Sequence, residues 1–480
     1  MKELAERALN AAQVGGAQYA DVRIAERAQQ SLNVKNSELV SAADDASEGF
    51  GVRVLVDGAW GFSGSARLEG SEIDEVVRRA LRIAHASARV QSERVDLGQP
   101  VTSRGRYTTP LQRDPFGVPL SEKVDLLMRA DRAMASVEGV TVRTGQMEFV
   151  RERKLFASTE GALTEQELVE SGAAIEATAT TADDVQTRSY PNSFGRQQGT
   201  AGYEYIEAME LDRHGARIAE EAVQLLSAPQ CPSAVTTLII DASQVALQIH
   251  ESCGHPTELD RVFGTEAAYA GTSFMTQDLL NQLRYGSEQV SITADALTPA
   301  GLGTFGWDDE GVPAQRAFLI KDGLFVGYLT SRETASRLKM QSNGTMRADG
   351  WNRIPLIRMT NVNLEPGTSS LEQMVGGTKE GVYMETNRSW SIDDRRLNFQ
   401  FGTQLAYEIR DGKRGRMLRN ATYAGITPEF WNSCDAVGNR SEWQVWGLVN
   451  CGKGQPPQLA HVAHGAAPAR FRNVRVGILK

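Results

Sequence analysis

Two histidines five positions apart, with a carboxylate directly after the first, stand out in a chain of 480 residues that holds only six histidines. They lie in His250-Glu251-Ser252-Cys253-Gly254-His255-Pro256-Thr257-Glu258-Leu259-Asp260. Imidazole nitrogens beside an acid are what a divalent metal and a water-activating base require, so the stretch reads as half of a metal site. Catalytic zinc keeps one tetrahedral position for water and takes three ligands from the protein, so a third must come from elsewhere. Glu258 and Asp260 are near in sequence. Cys451 is far downstream, in the glycine-rich Gly447-Leu448-Val449-Asn450-Cys451-Gly452-Lys453-Gly454, where the adjacent lysine would favour a thiolate. Residue type and spacing leave all three open.

The spacing sets a geometric problem. Five residues turn an ideal helix by about 500°, which leaves His250 and His255 roughly 140° apart. Gly254 disfavours continued helix, and Pro256 is expected to push His255 toward extended geometry. Asp241 with Gln244 three positions on reads as a capping box, which predicts a helix over 242–253. His250 and Glu251 would ride its last turn, with His255 folding back. An apolar strand over 235–240 would feed straight into that helix and fix its start.

The His-Glu-x-x-Gly-His-x-x-Glu-x-Asp pattern, Cys451-Gly452-Lys453-Gly454-Gln455-Pro456 and Asp308-Asp309-Glu310-Gly311-Val312-Pro313 together resemble the TldD/PmbA family of metallopeptidases, nearly end to end. Leu259 departs from the pattern, standing where a small residue is more usual. The resemblance implies that His250, His255 and Cys451 bind Zn2+ and that Glu251 is the general base. It implies the metal-bearing, TldD-type branch, since the PmbA or TldE branch lacks the motif. It also implies a dimer, either of this chain with itself or with a PmbA/TldE-type subunit, whose interior admits unfolded peptides as an added strand. Cleavage of flexible peptides, maturation of modified peptides included, is the expected activity. Two rival readings use the same residues. One is a non-catalytic zinc-containing peptide binder in which Glu258, Asp260 or His464 closes the site; the other is a zinc hydrolase of a non-peptide amide. His464 and Arg347 are candidates for a second oxyanion donor or substrate contact.

The elements that must position these residues fall into two parts, with the division expected at Ala228-Pro229-Gln230-Cys231-Pro232. Residues 1–230 read as a mixed helix and sheet domain. A first helix runs to about Val14, a strand carries Ala20, Val22 and Ile24, and Asp57-Gly58 turns a hairpin. A helix capped by Ser71 buries Ile73, Val76, Val77, Ala80, Leu81 and Ala84. Residues 91–119 are an extended crossing, Ser121 opens another helix, strands fill 140–182, and a helix spans 206–226. Residues 231–480 read as a largely antiparallel, barrel-like domain carrying the zinc helix, with turns at Asp322-Gly323 and Asp411-Gly412 and a helix near 332–338. The overall class is α+β.

A composition of 41% hydrophobic and 23% charged residues is that of an ordinary globular protein. A net charge of −9 without a dense basic run argues against nucleic acid. No apolar run approaches the ~20 residues that cross a membrane, and the opening stretch lacks a signal-peptide core, so a cytoplasmic protein is expected. The four cysteines have no paired spacing and are expected as thiols. Asp308-Asp309-Glu310 reads as a turn rather than a second metal site, Cys253 as a small packed residue, and His85, His214 and His461 as structural.

Overall fold

The computed structural model describes residues 1–477. Its first half is built on four long antiparallel strands. Tyr19–Lys35 pairs with Glu38–Val56 on one side and with Val140–Ser158 on the other, and Leu163–Thr180 continues the sheet. Alternation along the first strand sends Val22 and Ile24 to one face and Asp21 and Arg23 to the other. The apolar face is covered by helices at both ends. Lys2–Val14 and Gly70–Ala88 lie over Val22, Ile24, Leu155 and Ala157, while Leu120–Ala135 and Leu211–Ser227 lie over Leu32, Met147, Phe149 and Ile175.

The stripe Ile73, Val76, Val77, Ala80, Leu81 and Ala84 is buried as its spacing demands. The helix starts differ from expectation. Neither Ser71 nor Ser121 caps its helix, since the helices begin at Gly70 and Leu120 after Glu69 and Pro119, with no side-chain cap bond. The expected helix over 206–226 is two, Glu204–Glu207 and Leu211–Ser227, because Glu210 sits in the left-handed region at φ 47°.

The second half closes a barrel. Ala234–Ile240, Ala469–Val476, Thr422–Ile426, Asn398–Arg410 and Glu380–Ile392 form a ring in that order, and Glu380–Ile392 returns to Ala234–Ile240 as the parallel pair. The turns Asp57-Gly58, Asp322-Gly323 and Asp411-Gly412 all have positive φ at both positions, the geometry that matches hairpin twist. An α+β architecture with a barrel-like, largely antiparallel second half is therefore what the chain adopts. Among the described residues, no helix is long and apolar enough to cross a membrane.

The two halves meet through buried charge. Asp308, Asp309 and Glu310 are each 1% exposed, on a turn made by Gly311 at φ 77°. The side chains of Asp309 and Glu310 meet the polar face of the long sheet: Lys154 is 2.6 Å and Arg23 3.5 Å from Asp309, and Arg53 bridges Asp21 at 2.7 Å and Glu310 at 3.4 Å. The acidic run is a turn that clamps the halves together. Removing one partner of such a buried cluster leaves charge uncompensated, at a cost of about 3–5 kcal/mol. Arg53→Met is therefore expected to lower the urea midpoint clearly, and an unchanged midpoint in equilibrium denaturation would remove the clamp from the account.

Candidate metal centre

The strand Ala234–Ile240 runs directly into the helix Ala242–Ile249, and Asp241 accepts from the Ser243 and Gln244 N–H groups. The cap is as expected but the reciprocal half of a box is absent, because Gln244 Nε2 reaches Tyr423 Oη instead. All eight residues of the helix are buried. It does not run on to Cys253 as an α-helix. Residues His250–Gly254 form a π-helical turn in which the His255 N–H donates to the His250 carbonyl, and a 3-10 turn His255–Thr257 follows. An i→i+5 ring stacks residue 255 over residue 250, so the wider turn brings together two side chains that an α-helix would part.

His255 itself is helical, at φ −61° and ψ −44°, and not extended as Pro256 led one to expect. The proline acts otherwise. It withholds the N–H that would bond Ser252 O, and the Tyr285 hydroxyl donates there instead at 3.0 Å. Trp431 Nε1 donates to Ser252 Oγ at 2.9 Å, and Thr257 Oγ1 donates to the Cys253 and Gly254 carbonyls at 2.8 and 2.9 Å. A Cβ on Gly254 would lie 2.3 Å from Met359 Sδ, in a wall where Met359 is fully buried. Leu259, the departure from the motif, is packed in the core, with its N–H on Leu329 O.

His250, His255 and Cys451 each present a ligand atom within 4.8 Å of the others. His255 Nε2 is 3.6 Å from Cys451 Sγ, and the two imidazoles meet edge to face with centroids 4.7 Å apart. The far nitrogens fix the tautomers. His464 Nδ1 must carry a proton to donate to the Val362 carbonyl at 2.9 Å, so His464 Nε2 accepts from His250 Nδ1 at 2.8 Å. His250 Nε2 is left with its lone pair. Glu258 Oε2 likewise takes His255 Nδ1–H at 3.0 Å and leaves Nε2 of that ring free.

Electrostatics prepares the same three atoms. Burial pushes His250 down to about 4 and lowers His255 as well, so both rings are neutral near pH 7. Burial opposes ionisation of the Cys451 thiol, yet the Arg358 guanidinium holds it below the ordinary thiol range. Lys453 is not the cation responsible: its ammonium is spent on Asp260 at 2.8 Å, the Ile357 carbonyl at 2.8 Å and Glu258 at 3.4 Å. Burial alone acts on Cys253 with little relief and pushes it well up, so it is a packed thiol. Burial also opposes charge on Glu258, but Lys453, His255 and Arg261 keep it well below the usual carboxylate range.

Two neutral imidazoles and a thiol held below its ordinary range form a donor set suited to zinc. Each residue considered for a fourth ligand has another partner: Glu258 bonds His255, Asp260 bonds Lys453 and His464 bonds His250. That favours an open coordination position.

Glu251, 6% exposed, pairs with Arg396. Arg396 lies at the turn between Glu380–Ile392 and Asn398–Arg410, at φ 63°, and no sequence motif pointed to it. Arg358, which donates to the Cys451 carbonyl, was missed too. Both act across more than ninety positions of sequence, and an isolated arginine carries no spacing signal. Arg347 donates to the carbonyls of Met359 and Leu302. His461 bonds Glu170 at 2.6 Å, His214 stacks on Tyr190, and His85 is half exposed near Asp57.

The family models matched by this chain are PmbA/TldA metallopeptidase domain 1 over residues 20–84, the central domain over 113–228 and the C-terminal domain over 233–477. A metalloprotease of Methanothermobacter thermautotrophicus is 30% identical over 462 residues, 96% of this chain and 95% of that protein. A zinc metalloprotease TldD homolog of Saccharolobus solfataricus is 21% identical over 96% of this chain and 97% of its own. Among solved structures, TldE from Thermococcus kodakarensis matches with a TM-score of 0.75 at 17% identity, covering 99% of this chain and 100% of that one, a likeness of fold. With the C-terminal model alone spanning half the chain, this protein belongs to the PmbA/TldD metallopeptidase family.

Proposed function

We propose that the chain is the metal-bearing catalytic subunit of a zinc peptidase that hydrolyses unfolded or flexible peptides, maturation of modified peptides among them. One observation carries the reading: His250, His255 and Cys451 converge with neutral rings and a depressed thiol, and Glu251 follows the first ligand directly. Zinc held there would polarise the scissile carbonyl and lower the pKa of its water from about 15.7 to near 7. Glu251 accepts the proton of the attacking water and returns it to the leaving amine. Arg396 keeps that carboxylate in place, His464 holds the tautomer of His250, and Glu258 holds that of His255. In this reading His464 and Arg347 orient groups around the centre and are not themselves the oxyanion donors.

The same reading divides the chain into an N-terminal α+β domain, residues 1–230, and a C-terminal metallopeptidase domain, residues 231–480, supported by the gap between matched segments at 228–233. A reducing, cytoplasmic setting suits four free cysteines and a thiolate ligand. The TldE neighbour and the family support a dimer, with a second copy or a TldE-type subunit. Light scattering at micromolar concentration, alone and with such a subunit, should report the dimer mass. A monomer that cleaves peptides unaided would end the shared-cavity argument.

Ligation is tested by metal analysis. About one zinc per chain is expected, with Cys451→Ser lowering occupancy far more than Cys253→Ser, because only the first thiol meets His255. Full occupancy in the Cys451 variant would sink the assignment.

Catalysis is tested at Glu251. Glu251→Gln keeps shape and an acceptor for Arg396 but removes the base, so zinc and peptide should bind while hydrolysis falls by about 10²-fold or more. A screen of unfolded peptides against non-peptide amides separates the two hydrolase readings. Wild-type rates in the variant would overturn the mechanism, and zinc-loaded protein that cleaves no substrate would favour a binding module.

A further inference from the structure

Three arginines converge on a cavity of about 90 Å3 lying between the long N-terminal sheet and residues 302–307, 347–349 and 458–461. Arg358 is 2% exposed. One of its nitrogens donates to the Cys451 carbonyl, while Nε and Nη1 are buried without a partner. Arg347 bonds only carbonyls, those of Met359 and Leu302, and its Nε is also unpartnered. Arg27 comes from the strand Tyr19–Lys35, has a buried, unpartnered Nε and makes no ion pair among the described residues.

Among the described residues, none of the acids in the wall forms an ion pair with the three arginines. Glu170 is taken by His461 at 2.6 Å, Asp309 by Lys154 at 2.6 Å, and Asp349 accepts the Leu459 N–H at 2.9 Å. Glu152 forms no ion pair with any of the three arginines among the described residues. Burial and the nearby Arg358 push Arg347 down to about 10, an effect that Asp309 and Glu170 offset only in part. Buried guanidinium donors facing open space are costly unless an anion meets them, and their planar fork matches a carboxylate. The cavity has room for a carboxylate.

We propose that Arg27, Arg347 and Arg358 form a carboxylate-binding subsite that seats one carboxylate of the bound peptide beside the Cys451 strand of the metal centre. The inference rests on the peptidase reading and adds a specificity to it. The carboxylate is either the C-terminus of the peptide or an Asp or Glu side chain, two sources of one chemistry. Because Arg358 holds the Cys451 carbonyl as well, a seated carboxylate is registered against the metal ligands.

The test is calorimetric binding to zinc-loaded protein carrying Glu251→Gln, with one unstructured peptide made as C-terminal acid or amide and with an internal Glu or Gln. One carboxylate-bearing form should bind about tenfold or more tighter than its neutral twin. Arg27→Gln, on the strand Tyr19–Lys35 of the first sheet, should bring the pair to near parity. The acid/amide arm assigns the terminus, the Glu/Gln arm the side chain. Equal affinities throughout, or displacement by acetate without any peptide preference, overturns the subsite. Equal affinities with wild-type cleavage intact leave the peptidase reading standing. A clear preference in a protein whose wild type cleaves none of the peptides does the reverse.

Discussion

The hydrogen bond from the His255 N–H to the His250 carbonyl closes a π-helical turn, and the chemistry of this protein depends on that closure. With five positions between the histidines, an α-helical ring would point them away from each other. Widening the ring by one residue brings them over one another without a break in the chain. The wider turn leaves carbonyls poorly served, and the surroundings serve them: Tyr285 at Ser252, Thr257 at Cys253 and Gly254. Pro256 ensures that no α-helical bond competes for Ser252. Met359 packs where a side chain on residue 254 would have to go.

Burial then does two opposite things within a few ångströms. It strips protons from imidazoles, which suits ligands, and it opposes charge on a thiol, which does not. The protein resolves the conflict by placing cations selectively. Arg358 lies against Cys451 and outweighs the burial effect, while Cys253, two residues before His255 in sequence, has no such neighbour and is pushed well up. Lys453, which adjacency suggested for the task, is turned to Glu258 and Asp260, where it keeps the His255 partner ionised.

What could be read from the chain follows from how local each signal is. The stripe from Ile73 to Ala84, the three Asp-Gly turns and the Asp241 cap are set within a few residues, and each appears in the fold. The motif told which residues could hold a metal but not the turn that brings them together, since an extended His255 and a π-helical one are equally compatible with Gly254 and Pro256. Helix starts at Gly70 and Leu120 were misjudged because a serine can face solvent as easily as cap. Residues whose role exists only through distant contact had no local signature, Arg396 against Glu251 and Arg358 against Cys451 above all. The acidic run at 308–310 was legible as a turn, whereas its basic partners on the first sheet were not.

That acidic turn also explains how a sheet built from the first half of the chain reaches the candidate metal centre. Asp308 Oδ2 accepts the Met346 N–H at 3.0 Å and Asp309 Oδ2 the Ala348 N–H at 2.8 Å, so the clamp that binds Arg23, Arg53 and Lys154 also holds the strand Met346–Arg347. Met346–Arg347 pairs with Leu356–Ile357, and the next residue, Arg358, grips the carbonyl of Cys451. Three short, buried, charge-bearing steps thus connect the first sheet to Cys451. Hydrophobic packing could hold the halves together as firmly, but it would not fix a strand to a definite pair of N–H groups. Directional bonds do, and Cys451, the candidate-site residue that lies far in sequence from His250 and His255, is the one that needs them.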